Sequence, residues 1–172
     1  MVTSSLQLRR GYRALLPMAA LLAVCLGSEG ATQAQTVSSD GKNSVLTVPV
    51  EGGLDAIFFY DDLTRDLTGF VLNVNGVFNI GYKVNIQKFF TGPGGKVISE
   101  PKFLFATGKV SIRNRGRVTY GSGAIYITEA KTGQMVALAL PWTTSYRTSA
   151  KSFALEPKLI KKFSLRNIDV DE

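Results

Sequence analysis

From Phe78 the chain reads FNIGYKVNIQKF. Phe78, Ile80, Tyr82, Val84 and Ile86 occupy one set of alternate positions, and Asn79, Gly81, Lys83, Asn85 and Gln87 the other. Successive side chains of a strand point to opposite faces, so this pattern predicts a strand over residues 78–90 with one face in a core and one in water. A helix would spread the same apolar residues around its axis. Shorter apolar or alternating runs predict strands at residues 44–50 (SVLTVPV), 56–60 (AIFFY), 68–74 (TGFVLNV), 102–112 (KFLFATGKVSI), 118–128 (VTYGSGAIYIT) and 134–140 (QMVALAL). Residues 160–168 (IKKFSLRNI) read as a last strand or a short helix.

The breaks between these runs carry turn chemistry. Asn75-Gly76 is a hairpin signal, because both central residues of a type I′ turn need positive φ. Residues 114–117 (NRGR) form the basic tip of a second hairpin, and residues 130–133 (AKTG) the turn of a third. The result is an all-β, antiparallel expectation of about eight strands joined by hairpins, as a β-sandwich or a small closed barrel. An outer-membrane barrel fits poorly: the chain ends in the charged Asp169-Val170-Asp171-Glu172, and the wet faces carry lysines.

The N-terminus follows a different rule. Arg9, Arg10 and Arg13 precede an apolar run at residues 14–26 (ALLPMAALLAVCL), followed by the small, polar residues 27–35 (GSEGATQAQ). That order is the layout of a secretory signal peptide, and its apolar run is shorter than a spanning helix needs. Cleavage is expected after Ala34, with Gly30 second; an uncut anchor is the alternative. Arg9-Arg10 is a loose twin-arginine pattern, and Cys25 sits where a lipoprotein cysteine would, although Val24 before it is not small. The organisation read from the sequence is therefore a cleaved N-terminal signal helix (1–34), a flexible leader (35–43) and a single β domain (44–172). The protein is expected to be exported, periplasmic or extracellular, with no stable membrane span after cleavage.

Residues 57–72 (IFFYDDLTRDLTGFVL) and 125–140 (IYITEAKTGQMVALAL) align without gaps, and each is an apolar strand, an acidic-polar turn and an apolar return. The second copy resembles the hairpin of a quinoprotein-type β-propeller blade, in which a strand, a D-x-x-T-G turn and a strand recur. It departs at Ala130, and the first copy has Arg65 in place of the glycine. A propeller needs at least four blades, more than this chain can hold, so the repeat is read as convergent hairpin chemistry.

Composition narrows the chemistry. The 172 residues include no histidine and one cysteine, Cys25, inside the signal. After cleavage no Ser-His-Asp or Cys-His site can be built, nor the ligand sets preferred by zinc, copper or non-haem iron. Residues 91–96 (TGPGGK) lack the order of a phosphate loop. No cofactor, metal or catalytic residue is therefore assigned. Asp61, Asp62 and Asp66 read as a solvated turn rather than a calcium loop. The acids to suspect for hydrolysis are Asp61 or Asp62 with Glu129, because the repeat places Asp61 and Glu129 at equivalent positions.

The leading segment holds three of the 20 basic residues and one of the 13 acidic ones, so its removal takes the net charge from +7 to +5. Arg113, Arg115 and Arg117, with Lys158, Lys161 and Lys162, are a candidate anion-binding patch. Its partner would be an anionic envelope polymer or another envelope protein, and not nucleic acid. Trp142 and Tyr146 are candidates for stacking on a ligand, although a lone Trp commonly anchors a core. These features point first to a non-catalytic protein acting by surface contacts in a structural, adhesive or assembly role. A module binding an apolar or sugar ligand is the alternative, and a carboxylate-based hydrolase comes third.

Overall fold

The computed structural model describes residues 37–112 and 118–166. The strands are β1 (Val37–Ser39), β2 (Asn43–Glu51), β3 (Leu54–Asp61), β4 (Asp66–Leu72), β5 (Phe78–Asn85), β6 (Phe103–Lys109), β7 (Tyr120–Glu129), β8 (Gln134–Pro141), β9 (Phe153–Leu155) and β10 (Lys158–Ser164). They form two sheets, a six-stranded one in the order β1-β2-β3-β4-β5-β9 and a four-stranded one in the order β10-β8-β7-β6. Every pairing is antiparallel except β5 with β9. The all-β expectation holds and the closed barrel does not, because each sheet keeps two free edges. The signal helix lies outside the described residues.

One face of each sheet feeds a single core. Leu46, Val48 and Val50 of β2, Phe58 and Tyr60 of β3, and Ile80 and Tyr82 of β5 cluster with Ile125 and Ile127 of β7 and Val136, Leu138 and Leu140 of β8. Phe58 stacks on Tyr82 with ring centroids 5.6 Å apart. The Tyr82 hydroxyl donates to the Pro141 carbonyl at 2.7 Å, tying β5 to the end of β8. At the start of β7 the backbone passes against β2 so closely that a Cβ on Gly123 would lie 2.4 Å from the Pro49 carbonyl oxygen. Glycine is required there by contact, not by a turn.

Several expectations are corrected in detail. β5 ends at Asn85, and Ile86–Phe89 is a 3-10 turn whose start is held by the Asn85 side chain accepting from Gln87 N. Ile80, Tyr82, Val84 and Ile86 are buried, but Phe78 is 60 % exposed. The cause is a register shift: Val71 pairs with Ile80 and Leu72 with Phe78, so Asn79 is the extra residue of a bulge. The bulge reverses the parity, turning Phe78 out and burying Asn79, whose amide donates to the carbonyls of Tyr146 and Ser149 at 2.6 and 3.1 Å. The β4–β5 connection is also not a two-residue turn. Asn73 Oδ1 accepts from the backbone of Asn75 and Val77, each at 3.0 Å, and among the central pair only Gly76 has positive φ. Part of the expected leader, Val37–Ser39, pairs with β2. The short β9 had no counterpart in the sequence reading.

Candidate functional site

The suspected acids are built into turns. Asp61 closes β3, and its carboxylate accepts from Leu63 N at 2.8 Å and Thr64 Oγ1 at 3.0 Å. Glu129 closes β7, and its carboxylate accepts from Lys131 N, Thr132 N and Thr132 Oγ1 at 3.2, 2.7 and 2.8 Å, and from Lys102 N at 3.2 Å. In both turns the fifth residue returns its N–H to the carbonyl of the acid, each at 2.8 Å, and has positive φ: 62° at Arg65 and 71° at Gly133. The repeat is thus a shared turn design, an acid-x-x-Thr cap followed by a left-handed residue. Asp62 is taken up by Arg65, with the Tyr60 hydroxyl donating to it at 3.1 Å.

Burial alone pushes the Glu129 carboxyl up. The hydrogen bonds from Thr132, Lys102 and Lys131 outweigh it and hold the group below the ordinary carboxylate range. A general acid needs the opposite shift. Burial raises the Tyr60 hydroxyl to about 12, out of reach of acid–base work near neutrality. Asp61 and Asp62 sit in the six-stranded sheet's turn and Glu129 in the other sheet's, and none of them lines either of the two clefts described below.

Trp142 follows β8, is only 4 % exposed, and forms part of the wall of the cleft described below. Its indole N–H donates to Glu51 Oε2 at 2.6 Å, and Thr144 Oγ1 donates to Glu51 Oε1 at 2.9 Å. Tyr146, half-buried, packs edge-on to Trp142 at 5.7 Å and against Phe153 at 4.6 Å. Beside this cluster lies an open cleft of about 400 Å³, whose lining includes Glu51, Ser111, Thr119, Tyr120, Ser122 and Thr144. Sequence reading missed Glu51, which lies 91 residues from Trp142 and meets it only in the fold. A second cleft, about 440 Å³, lies over Phe90 and Lys96.

The candidate anion patch divides. Arg113, Arg115 and Arg117 lie outside the described residues. Lys158, Lys161 and Lys162 are exposed on β10, an edge strand. Lys158 pairs with Ala139 and Lys161 with Ala137, so these two share a face, whereas Lys162, opposite Val136, points to the other. Glu156 meets Lys158 at 3.6 Å and also contacts Lys88. Among the described residues Lys161 and Lys162 have no acidic partner.

A surface that sequence reading did not single out is the outer face of the six-stranded sheet. Val45, Ile57, Phe59, Phe70, Leu72 and Phe78 are between 41 % and 60 % exposed. The registers make them one patch: Val45 opposes Phe59, Ile57 opposes Phe70, and Leu72 opposes Phe78. The signal was present in AIFFY, where both parities are apolar, so a strand that buries Ala56, Phe58 and Tyr60 must expose Ile57 and Phe59. Among the described residues no helix is long and apolar enough to cross a membrane. Comparison with protein families, with curated proteins and with solved structures found no match to the chain.

Proposed function

We propose that the protein is exported and works without catalysis, through surface contacts in the cell envelope or outside the cell, as a structural, adhesive or assembly component. Its strands then form a β-sandwich, two sheets with one core between them. The apolar outer face of the six-stranded sheet carries the reading. A contiguous apolar patch on a soluble surface marks an interaction site. The engagement of Asp61 and Glu129 as turn caps favours a non-catalytic role. An anionic envelope polymer is the partner favoured for the lysine edge of β10.

The test is retention of the purified protein on envelope fractions. Ile57→Thr with Phe59→Thr, which put strand-compatible β-branched side chains at both positions, should lower retention several-fold while leaving the circular dichroism spectrum unchanged. Undiminished retention would remove the patch from the function. A second reading, favoured by the hydroxyl-lined cleft beside Trp142, is binding of a small sugar there, since its volume falls within the range of ligand sites.

A further inference from the structure

The apolar face needs an occupant, and three observations select one. The first is the state of the edges. β1 and β9 have three residues each, and β10 carries Lys158, Lys161 and Lys162 and a bulge between Leu159 and Lys161. Short strands, lysines and bulges oppose edge-to-edge pairing at these three of the four edges, β6 being the fourth, which favours the face over them as the surface open to association.

The second is charge. The chain carries a net +7, yet the charges that share the apolar face are Asp55, Asp61, Asp66 and Lys83, three acids and one base, and Lys83 is paired with Asp66 at 3.0 Å. An anionic lipid surface would draw on basic residues around an inserting patch, and this face lacks them. The acids stand at the strand ends, Asp55 at one and Asp61 with Asp66 at the other, and the centre between them around Ile57 and Phe70 is uncharged.

The third is shape and area. The Phe70 ring lies over Gly81, 3.7 Å from where a Cβ would stand, and Phe78 packs edge-on to it at 6.4 Å. Half-exposed side chains of this number and size present on the order of 600 Å² of apolar surface. With the rim residues Thr47, Asp55 and Thr68, that approaches the roughly 800 Å² per partner of a standard interface. A two-fold contact uses one surface for both sides, so a patch that is apolar at its centre is its own complement there.

We infer that this face, centred on Ile57 and Phe70, docks a second copy of the chain face to face. The inference rests on the surface-contact reading above and names the partner. The dimer places the two four-stranded sheets, each with its β10 lysines, on opposite outer sides. It is therefore bivalent toward anything those lysines bind, and bivalence raises retention on a polymer without new contacts.

The test is sedimentation equilibrium of the protein as purified from the cells that make it, across micromolar concentrations, beside retention on envelope fractions. The wild type should sediment as a dimer. Phe70→Ser, and separately Ile57→Thr with Phe59→Thr, should sediment as monomers with an unchanged circular dichroism spectrum. Leu104→Thr, which removes an apolar side chain 62 % exposed on the other sheet, should leave the dimer intact. A wild type that is monomeric throughout, with retention still lost in the face variants, overturns the second copy and keeps the surface-contact reading. A dimer that survives the face variants overturns the inference. A monomer whose retention ignores the face variants overturns both.

Discussion

Four donors converge on the two oxygens of Glu129, a side chain with no exposed surface. Burying a carboxylate is costly, and such hydrogen bonds are what make it tolerable. Glu129→Gln loses the charge and presents an N–H₂ toward donors that need an acceptor. It should destabilise the fold by about 2 kcal/mol at pH 7, read as a lower midpoint in urea. The sign with pH follows from the depressed value. The stability that the ionised carboxyl contributes is fully present above its unfolded pKa of about 4.3 and is lost as pH falls through the lower folded value. The gap between wild type and Glu129→Gln should therefore close below about pH 4; a gap that widens there would contradict the capping role. In the sister turn Asp61 has a shorter reach and fewer donors, and Arg65 occupies the left-handed position that Gly133 fills. Arg65 holds Asp62 and Tyr60 in exchange for that backbone strain.

Strand β5 shows what alternation can and cannot reveal. Ile80 is fully buried, so Ile80→Ala should cost about 2–4 kcal/mol. Lys83→Ala removes an exposed pair with Asp66 and should cost less than about 1 kcal/mol. Strict alternation assigns Phe78 to the core with Ile80, but the bulge at Asn79 sends it outward, and Phe78→Ala should behave like Lys83→Ala in chemical denaturation. A large loss at Phe78 would mean that the register is misassigned. The strands legible in the sequence are those whose own side chains enforce a period, such as β3, β5 and β8. β1 and β9 are too short to show one and exist because β2 and β5 offer them a partner. A bulge leaves no mark in local pattern, since Asn79 is recognised as inward only by the carbonyls of Tyr146 and Ser149, about seventy residues away in sequence. The candidate site divides in the same way. Trp142 as an anchor is legible from its type, and its partner Glu51 is not. The apolar face is written in AIFFY, but Ala56, Phe58 and Tyr60 already satisfy the core, so nothing local says what Ile57 and Phe59 are for.

The β10 lysines and the apolar patch centred on Ile57 and Phe70 lie on different sheets. Lys158, Lys161 and Lys162 lie on one edge of the four-stranded sheet, with Lys102 and Lys131 on the connections that flank β6 and β7. The outer face of the six-stranded sheet is apolar at its centre, with Asp55, Asp61 and Asp66 at its ends and Lys83 paired to Asp66. Lysines without acidic neighbours keep their full attraction for polyanions, whereas Lys158 is partly neutralised by Glu156. Lys161→Glu with Lys162→Glu should therefore weaken binding to an anionic polysaccharide column more than an equal change in net charge placed elsewhere. Lys42→Glu with Lys96→Glu is the matched control, since both are exposed and neither is on the four-stranded sheet. At low salt the wild type and the control should be retained and the β10 variant should elute early. Above about 0.15 M salt, where the screening length falls to about 8 Å, all three should converge. Identical elution of the two variants at low salt would show that net charge alone governs binding, and the β10 edge would lose its claim to be a contact surface.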